Sequence, residues 1–309
     1  MKKIISLFVV FSFLFSVISC NSNDRDIEPN PPYNPLSVNT FDLYIDGKKF
    51  EPNSYNINAH YLPCDRQISF TVVATVESQW IIIDLRINKQ GKVKFFGIHQ
   101  GDYDHYTTEY DPNKYLKITN LQLDAENEYM NVSFEGRIFK AYTDEPMEIS
   151  GNFEIKYFSK SYCDATYDQL INLDDDIKFN NSDISRWTTS VQGQIINVKY
   201  EANEPDGRQF VLNGLKKNIY EMDLGTYEFD FSRENEFIEF NEYIGPPKSI
   251  FSTVLPTDWL KYDTSGSFTI TKHELIDGHK VTKGTINLNT YENGVLIKSF
   301  QNAPFELSD

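Results

Sequence analysis

The chain reads as all-β: two tandem antiparallel domains, each a β-sandwich or barrel-like, that look like copies of one another. Three observations predict this. Aromatic residues make up 15% of the 309, mostly Phe and Tyr, and they stand among Val, Ile and Thr, which suit a pleated, half-buried surface. Short runs alternate apolar and polar with a period of two and are parted by Gly, Asn, Asp and Pro. The same order of strand-like features also occurs twice.

Before the first strand lies an address. Lys2 and Lys3 precede an apolar run from Ile4 to Ile18, interrupted by Ser6, Ser12 and Ser16. A run of roughly fifteen residues has signal-peptide length and is short for a membrane-spanning helix. Val17-Ile18-Ser19-Cys20 resembles the lipobox of bacterial lipoproteins. That resemblance implies cleavage before Cys20, a diacylglyceryl group on its thiol (commonly with a further acyl chain such as palmitate on its amine) and an outer-membrane lipid anchor. Residues 1–19 are then a signal peptide and 20–40 a tether. The tether carries Pro29, Pro31, Pro32 and Pro35 behind Asp24, Asp26 and Glu28, and has no apolar periodicity. Acids close behind the cysteine resemble the surface-export signal of Bacteroidetes-type lipoproteins, though Arg25 interrupts them. This implies the cell surface, with the periplasmic face as the alternative.

The strand runs follow in order. Phe41 to Ile45 alternates and meets Asp46-Gly47, a pair that accepts the positive φ angles of a type I′ turn. Ile68 to Thr75 and Gln79 to Ile87 are β-branched runs around Val76-Glu77-Ser78; Gly91 to Phe96 is the next. Tyr115 to Leu123, Asn131 to Phe139 and Met147 to Tyr157 complete a first domain at 41–158. Residues 159–176 read as a linker, with one helical turn around Tyr167-Asp168-Gln169-Leu170. A second domain at 177–309 has runs at Val191 to Ala202, Gln209 to Leu215, Gly225 to Phe231, Ser265 to Lys272, Lys280 to Leu288 and Val295 to Leu307.

The repeat pairs Val72 to Ile83 with Val198 to Ala202 through Phe210 to Leu212, Ile118 to Leu123 with Ile270 to Leu275, Glu135-Gly136-Arg137-Ile138 with Lys283-Gly284-Thr285-Ile286, and Phe153-Glu154-Ile155 with Phe305-Glu306-Leu307. Gly225-Thr226-Tyr227, Gly266-Ser267-Phe268-Thr269-Ile270-Thr271 and Lys283-Gly284-Thr285-Ile286-Asn287-Leu288 resemble an uncharacterised β-rich domain of Bacteroidetes lipoproteins. That resemblance implies an extracytoplasmic domain and brings no catalytic residues with it.

The net charge of −16 argues against nucleic acid and anionic lipid as partners. Cys64 and Cys163 remain after Cys20, and outside the cytoplasm such a pair can form a disulfide. Two buried thiols are the alternative, since no CxxC or HxxxH accompanies them to suggest a metal. His99 and His105 around Asp102 and Asp104, His273 with His279, and Asp174-Asp175-Asp176 match no metal motif and read as polar loops. No nucleophile elbow, Walker loop or dinucleotide fingerprint is present, and no cofactor is implied. Tyr103, Tyr106, Tyr110 and Tyr115 crowd one stretch with carboxylates, a combination that suits sugar rings or, more plainly, caps the end of a sandwich. The expected function is a membrane-anchored binding or interaction module for a glycan or an envelope protein. A structural or assembly role in the envelope stands second, and a glycan-active enzyme third.

Overall fold

The computed structural model describes residues 39–309 apart from 63–66, 89, 100–103 and 161–168. Cys20, Cys64, Cys163, Asp102 and Tyr103 lie outside the described residues, as do the signal peptide and nearly all of the tether. The fold is all-β and antiparallel in nearly every pairing, with no α-helix among the described residues and no sheet closed into a barrel.

The first half contributes β1 (Thr40–Ile45), β2 (Lys48–Lys49), β3 (Ser54–Leu62), β4 (Gln67–Val76), β5 (Gln79–Asn88) and β6 (Val93–His99). It continues with β7 (His105–Tyr106), β8 (Leu116–Asp124), β9 (Tyr129–Lys140), β10 (Pro146–Ile155) and β11 (Ser159–Lys160). All eleven belong to one sheet. The β1–β2 turn forms as its residues require, with Asp46 at φ 48° and Gly47 at φ 74°. The sheet folds over on itself where β9 divides its partners: β8 pairs with residues 129–136 and β7 with residues 139–140. Phe70 of β4 then stacks 5.1 Å from Phe153 of β10, and Phe96 of β6 lies 5.1 Å from Phe134 of β9. The alternating residues of every long strand fill this fold with a single apolar core.

The second half supplies β12 (Leu170–Asn172), β13 (Lys178–Asn180), β14 (Ile184–Val191), β15 (Gln194–Asn203), β16 (Arg208–Leu215) and β17 (Gly225–Phe229). It ends with β18 (Phe237–Tyr243), β19 (Trp259–Lys261), β20 (Asp263–Ile276), β21 (His279–Glu292) and β22 (Val295–Ser308). These form a six-stranded sheet, β13-β12-β22-β21-β20-β17, and a five-stranded one, β14-β15-β16-β18-β19. A second core lies between them; Phe240 of β18 meets Phe300 of β22 with ring centroids 5.8 Å apart.

The strand order recurs. In the first half the opening strand β1 pairs with the last long strand β10, which continues to β9 and β8; in the second, β12 pairs with β22, which continues to β21 and β20. The meander β3 to β7 has its counterpart in β14, β15, β16, β18 and β19. Phe153 faces Phe41 as Phe305 faces Ile171. The glycine match does not hold in register: Gly284 faces Phe305, whereas Phe153 faces Val132 and Gly136 faces Ile149.

Several elements differ from expectation. Leu170 belongs to strand β12, not to a helical turn, and Ile171 and Leu173 enter the second core, so the segment read as a linker is in part a strand of the six-stranded sheet. Strands β3, β14 and β18 are among those additional to the runs read from the sequence: β3 buries Ile57, Ala59 and Tyr61 at alternate positions, and β14 is exposed along nearly its whole length.

The two halves meet along a polar seam. Lys92 Nζ reaches Glu204 Oε1 and Asp206 Oδ2, each at 2.6 Å, and Lys94 pairs with Asp183. Asp144 Oδ1 accepts hydrogen bonds from Ser249 N at 2.8 Å and Ser252 Oγ at 2.6 Å.

Candidate functional site

The outer face of β1, β10, β9 and β8 carries a hollow of about 500 Å³. The ladder register builds it row by row, because alternate residues of neighbouring strands share a face. One row is Tyr44, Ser150, Glu135 and Lys117, paired in that order. The next holds Glu148 beside Arg137, whose Nε donates to Glu148 Oε1 at 2.5 Å. The backbone N–H of Arg137 donates to Tyr115 O at 2.8 Å, which seats Tyr115 at the end of that row. The Tyr115 ring lines the hollow and meets Phe139 edge-on, 5.4 Å between centroids, and Lys114 Nζ lies over the Tyr115 ring at 5.7 Å from its centroid.

Gly136 shapes the floor. Its φ is 146°, and a Cβ there would stand 2.0 Å from Tyr115 O, so any larger residue would push β8 away. Lys114 is held by its turn: Asn113 Oδ1 accepts from Val93 N at 2.7 Å, and Asn113 Nδ2 donates to Pro205 O of the second half at 3.1 Å. The hollow is therefore preorganised by backbone pairing, with charged and phenolic groups aimed into solvent.

Among the described tyrosines of the stretch read as a ligand loop, Tyr115 alone lines this hollow. Tyr106 is buried on β7 and meets Phe251 of the second half at 4.8 Å. Tyr110 packs on Trp259 at 4.7 Å and Tyr243 at 5.7 Å. Both rings are thus part of the seam between the halves. The hollow's other residues, above all Tyr44 and Arg137, were not singled out from the sequence. Their one signal was Tyr44 on the polar side of an otherwise regular alternation.

A hydrogen-bonded array crosses β4 to β7. Thr71 Oγ1 donates to Asp84 Oδ1 at 2.6 Å, His99 Nε2 lies 3.3 Å from Asp84 Oδ2 in a bent contact, and His99 Nδ1 is 3.1 Å from the Tyr106 hydroxyl. The connectivity is that of an acid–base relay, but its poise is not. Burial, then Asp104, pushes the Tyr106 phenol above its ordinary value, so it holds its proton rather than acting as a nucleophile. Burial alone would raise Asp84; the contacts with His99 and Thr71 outweigh it and hold the carboxyl below its ordinary range. The array ties four strands together.

The remaining polar candidates have structural partners. His273 bonds Thr282 Oγ1 at 3.0 Å and Met222 O at 2.9 Å. Asp174 Oδ1 accepts from the backbone of Asp176 and Ile177, each at 2.8 Å, and closes a turn. Among the described residues no group of three or more His, Cys, Asp or Glu is arranged to hold a metal ion. No protein-family model, curated protein or solved structure matches the chain.

Proposed function

We propose that the protein is an extracytoplasmic binding module, held at the outer membrane by lipid on Cys20 and presenting the β1–β10–β9–β8 hollow to a glycan. The observation that carries the reading is that hollow: two phenolic rings and a ring of hydrogen-bonding charges on a rigid sheet face. Sugars offer the matching surfaces, C–H faces for the rings and hydroxyls for the charges. The address rests on the lipobox-like Val17–Cys20, and the tether would lift the β-structure clear of the bilayer. The cell surface is the face proposed.

Two experiments test it. Cys20→Ala is expected to lose labelling by a palmitate analogue and to leave the membrane fraction; unchanged labelling and retention would end the anchor. On a glycan array, wild type is expected to bind and Tyr44→Ala or Tyr115→Ala to lose the signal; undiminished signal in both variants would remove the hollow as the site.

One observation favours a second reading, an assembly component of the envelope. Trp187, Val191 and Ile196 on the β14–β15 hairpin, and Val295, Leu296 and Ile297 on β22, are all at least half exposed. Recovery of a defined envelope complex that is lost on Trp187→Ser would favour that role.

A further inference from the structure

We infer that the hollow on β1, β8, β9 and β10 selects an acidic saccharide, one carrying isolated carboxylate or sulfate groups, through Lys114 and Lys117. This rests on the hollow being the ligand site and adds the class of ligand.

The first argument is local charge. The chain as a whole carries −16, yet the hollow is lined by three cations, Lys114, Lys117 and Arg137, against two carboxylates, Glu135 and Glu148. Arg137 and Glu148 neutralise one another at 2.5 Å. Glu135 faces Lys117 across the ladder without forming an ion pair, and Asp111 lies within electrostatic reach of Lys114 on the same turn, so the hollow's lining is positive by a single charge. In a protein so rich in acids, a cationic concavity is a local departure from the field around it.

The second argument is partnership. Lys92, Lys94, Lys248 and Lys283 each lie within ion-pair distance of at least one carboxylate. Lys114 and Lys117 are exposed and make no ion pair among the described residues. Their ammonium groups are available to an external anion. Lys114 is also preplaced: its turn begins at Pro112, its neighbour Asn113 is pinned at both ends of its amide, and its head group lies over the Tyr115 ring.

The third argument sets the size of the ligand. Densely charged polyanions are repelled by the surrounding acidic surface, whereas spaced charges on a sugar chain can seat at the two lysines. Tyr44 and Tyr115 supply the faces on which neutral parts of the rings rest. A hydrated lysine recognises such an anion as a point charge, without the fixed fork of an arginine, so carboxylate and sulfate esters are both accepted.

The test is titration calorimetry of the mature protein with a panel of oligo-uronates and sulfated oligosaccharides, each beside its neutral counterpart. Acidic members are expected to bind about tenfold or more tighter than neutral ones at low salt, with the advantage shrinking as NaCl rises to about 0.3 M. The double variant Lys114→Gln, Lys117→Gln is expected to bring acidic ligands down to the neutral level with an unchanged melting temperature, and Tyr44→Ala to weaken both classes. Equal binding of acidic and neutral members, indifferent to the lysine pair but lost in Tyr44→Ala, would overturn the acidic ligand and leave the hollow as the site. Acidic binding untouched by all three substitutions would remove the hollow itself. No binding to any member would overturn both.

Discussion

The two cores and the seam between them hold in different ways. Each core is apolar and aromatic: Phe41 stacks on Phe153 at 6.0 Å, Phe153 on Phe70 at 5.1 Å and on Phe134 at 5.7 Å, while Phe240 and Phe300 meet across the second sandwich. The seam includes the tyrosine contacts and the buried Thr108–Ser249 bridge, and it also carries buried charge. Glu204 is 4% exposed and is met by Lys92 at 2.6 Å and Arg208 at 3.4 Å. Apolar burial is roughly additive and tolerant of small rearrangement, whereas a buried ion pair depends on both partners at once. The halves thus stay folded for one reason and stay together for another, although Val38–Asp309 forms a single compact unit.

The largest expected effect comes from the cores. Phe153→Ala should cost about 3–5 kcal/mol, from lost transfer energy and the cavity left behind, and Phe240→Ala a similar amount. Denaturant unfolding followed by fluorescence and by circular dichroism checks this. If each variant unfolds only its own half first, the cores are independent; a single shared transition would tie them through the seam.

The proposed disulfide between Cys64 and Cys163 comes next. β11 runs parallel to β3, with Lys160 opposite Tyr61. Cys64 and Cys163 follow these strands in sequence and lie outside the described residues. A disulfide between them is expected, and reducing it should lower stability by about 2–4 kcal/mol. Non-reducing peptide mapping that recovers both cysteines alkylated would dismiss it.

Lys94→Met tests the seam directly. It leaves Asp183, whose side chain is 6% exposed, without its cation, for an expected loss of about 2–3 kcal/mol. Adding Asp183→Asn should recover part of that, because the amide can still accept the Asn180 N–H that the carboxylate accepts at 2.9 Å. A single substitution as cheap as an exposed one would erase the contrast between seam and core.

The smallest effect is in pH. Burial raises Glu204 above the ordinary glutamate value although Lys92 and Arg208 oppose it. The folded protein therefore keeps this proton at a pH where the unfolded chain has lost it. The stabilisation from that proton is full below the ordinary value and is lost as pH rises through the folded one. Glu204→Gln should flatten this part of the stability profile above about pH 4. Identical pH slopes in variant and wild type would show that the seam does not titrate there.

Some of the hollow was legible and most was not. Tyr115 was among the residues chosen for their aromatic character beside carboxylates, but its companions Tyr106 and Tyr110 pack into the seam. A tyrosine on a strand end gives the same sequence signal whether it faces a ligand or another half of the chain. Arg137, Glu148 and Lys117 look like any charged residue on the outer side of a strand. Their convergence depends on β1 returning to pair with β10, a contact between strands more than a hundred residues apart in sequence.

The sequence by itself determined the class of fold, because period-two alternation and β-branched runs have few physical outcomes other than half-buried strands. It also determined the turn at Asp46-Gly47 and most of the long hairpins, which are local. Tertiary structure alone decided whether a half closes as one folded sheet or as two. In the first half the two-residue strand β7 bridges β6 to β9, whereas in the second β19 makes no such link. It also decided the register that separates Gly136 from Gly284, and the seam. Each of these depends on which distant residues meet, and no local periodicity records that.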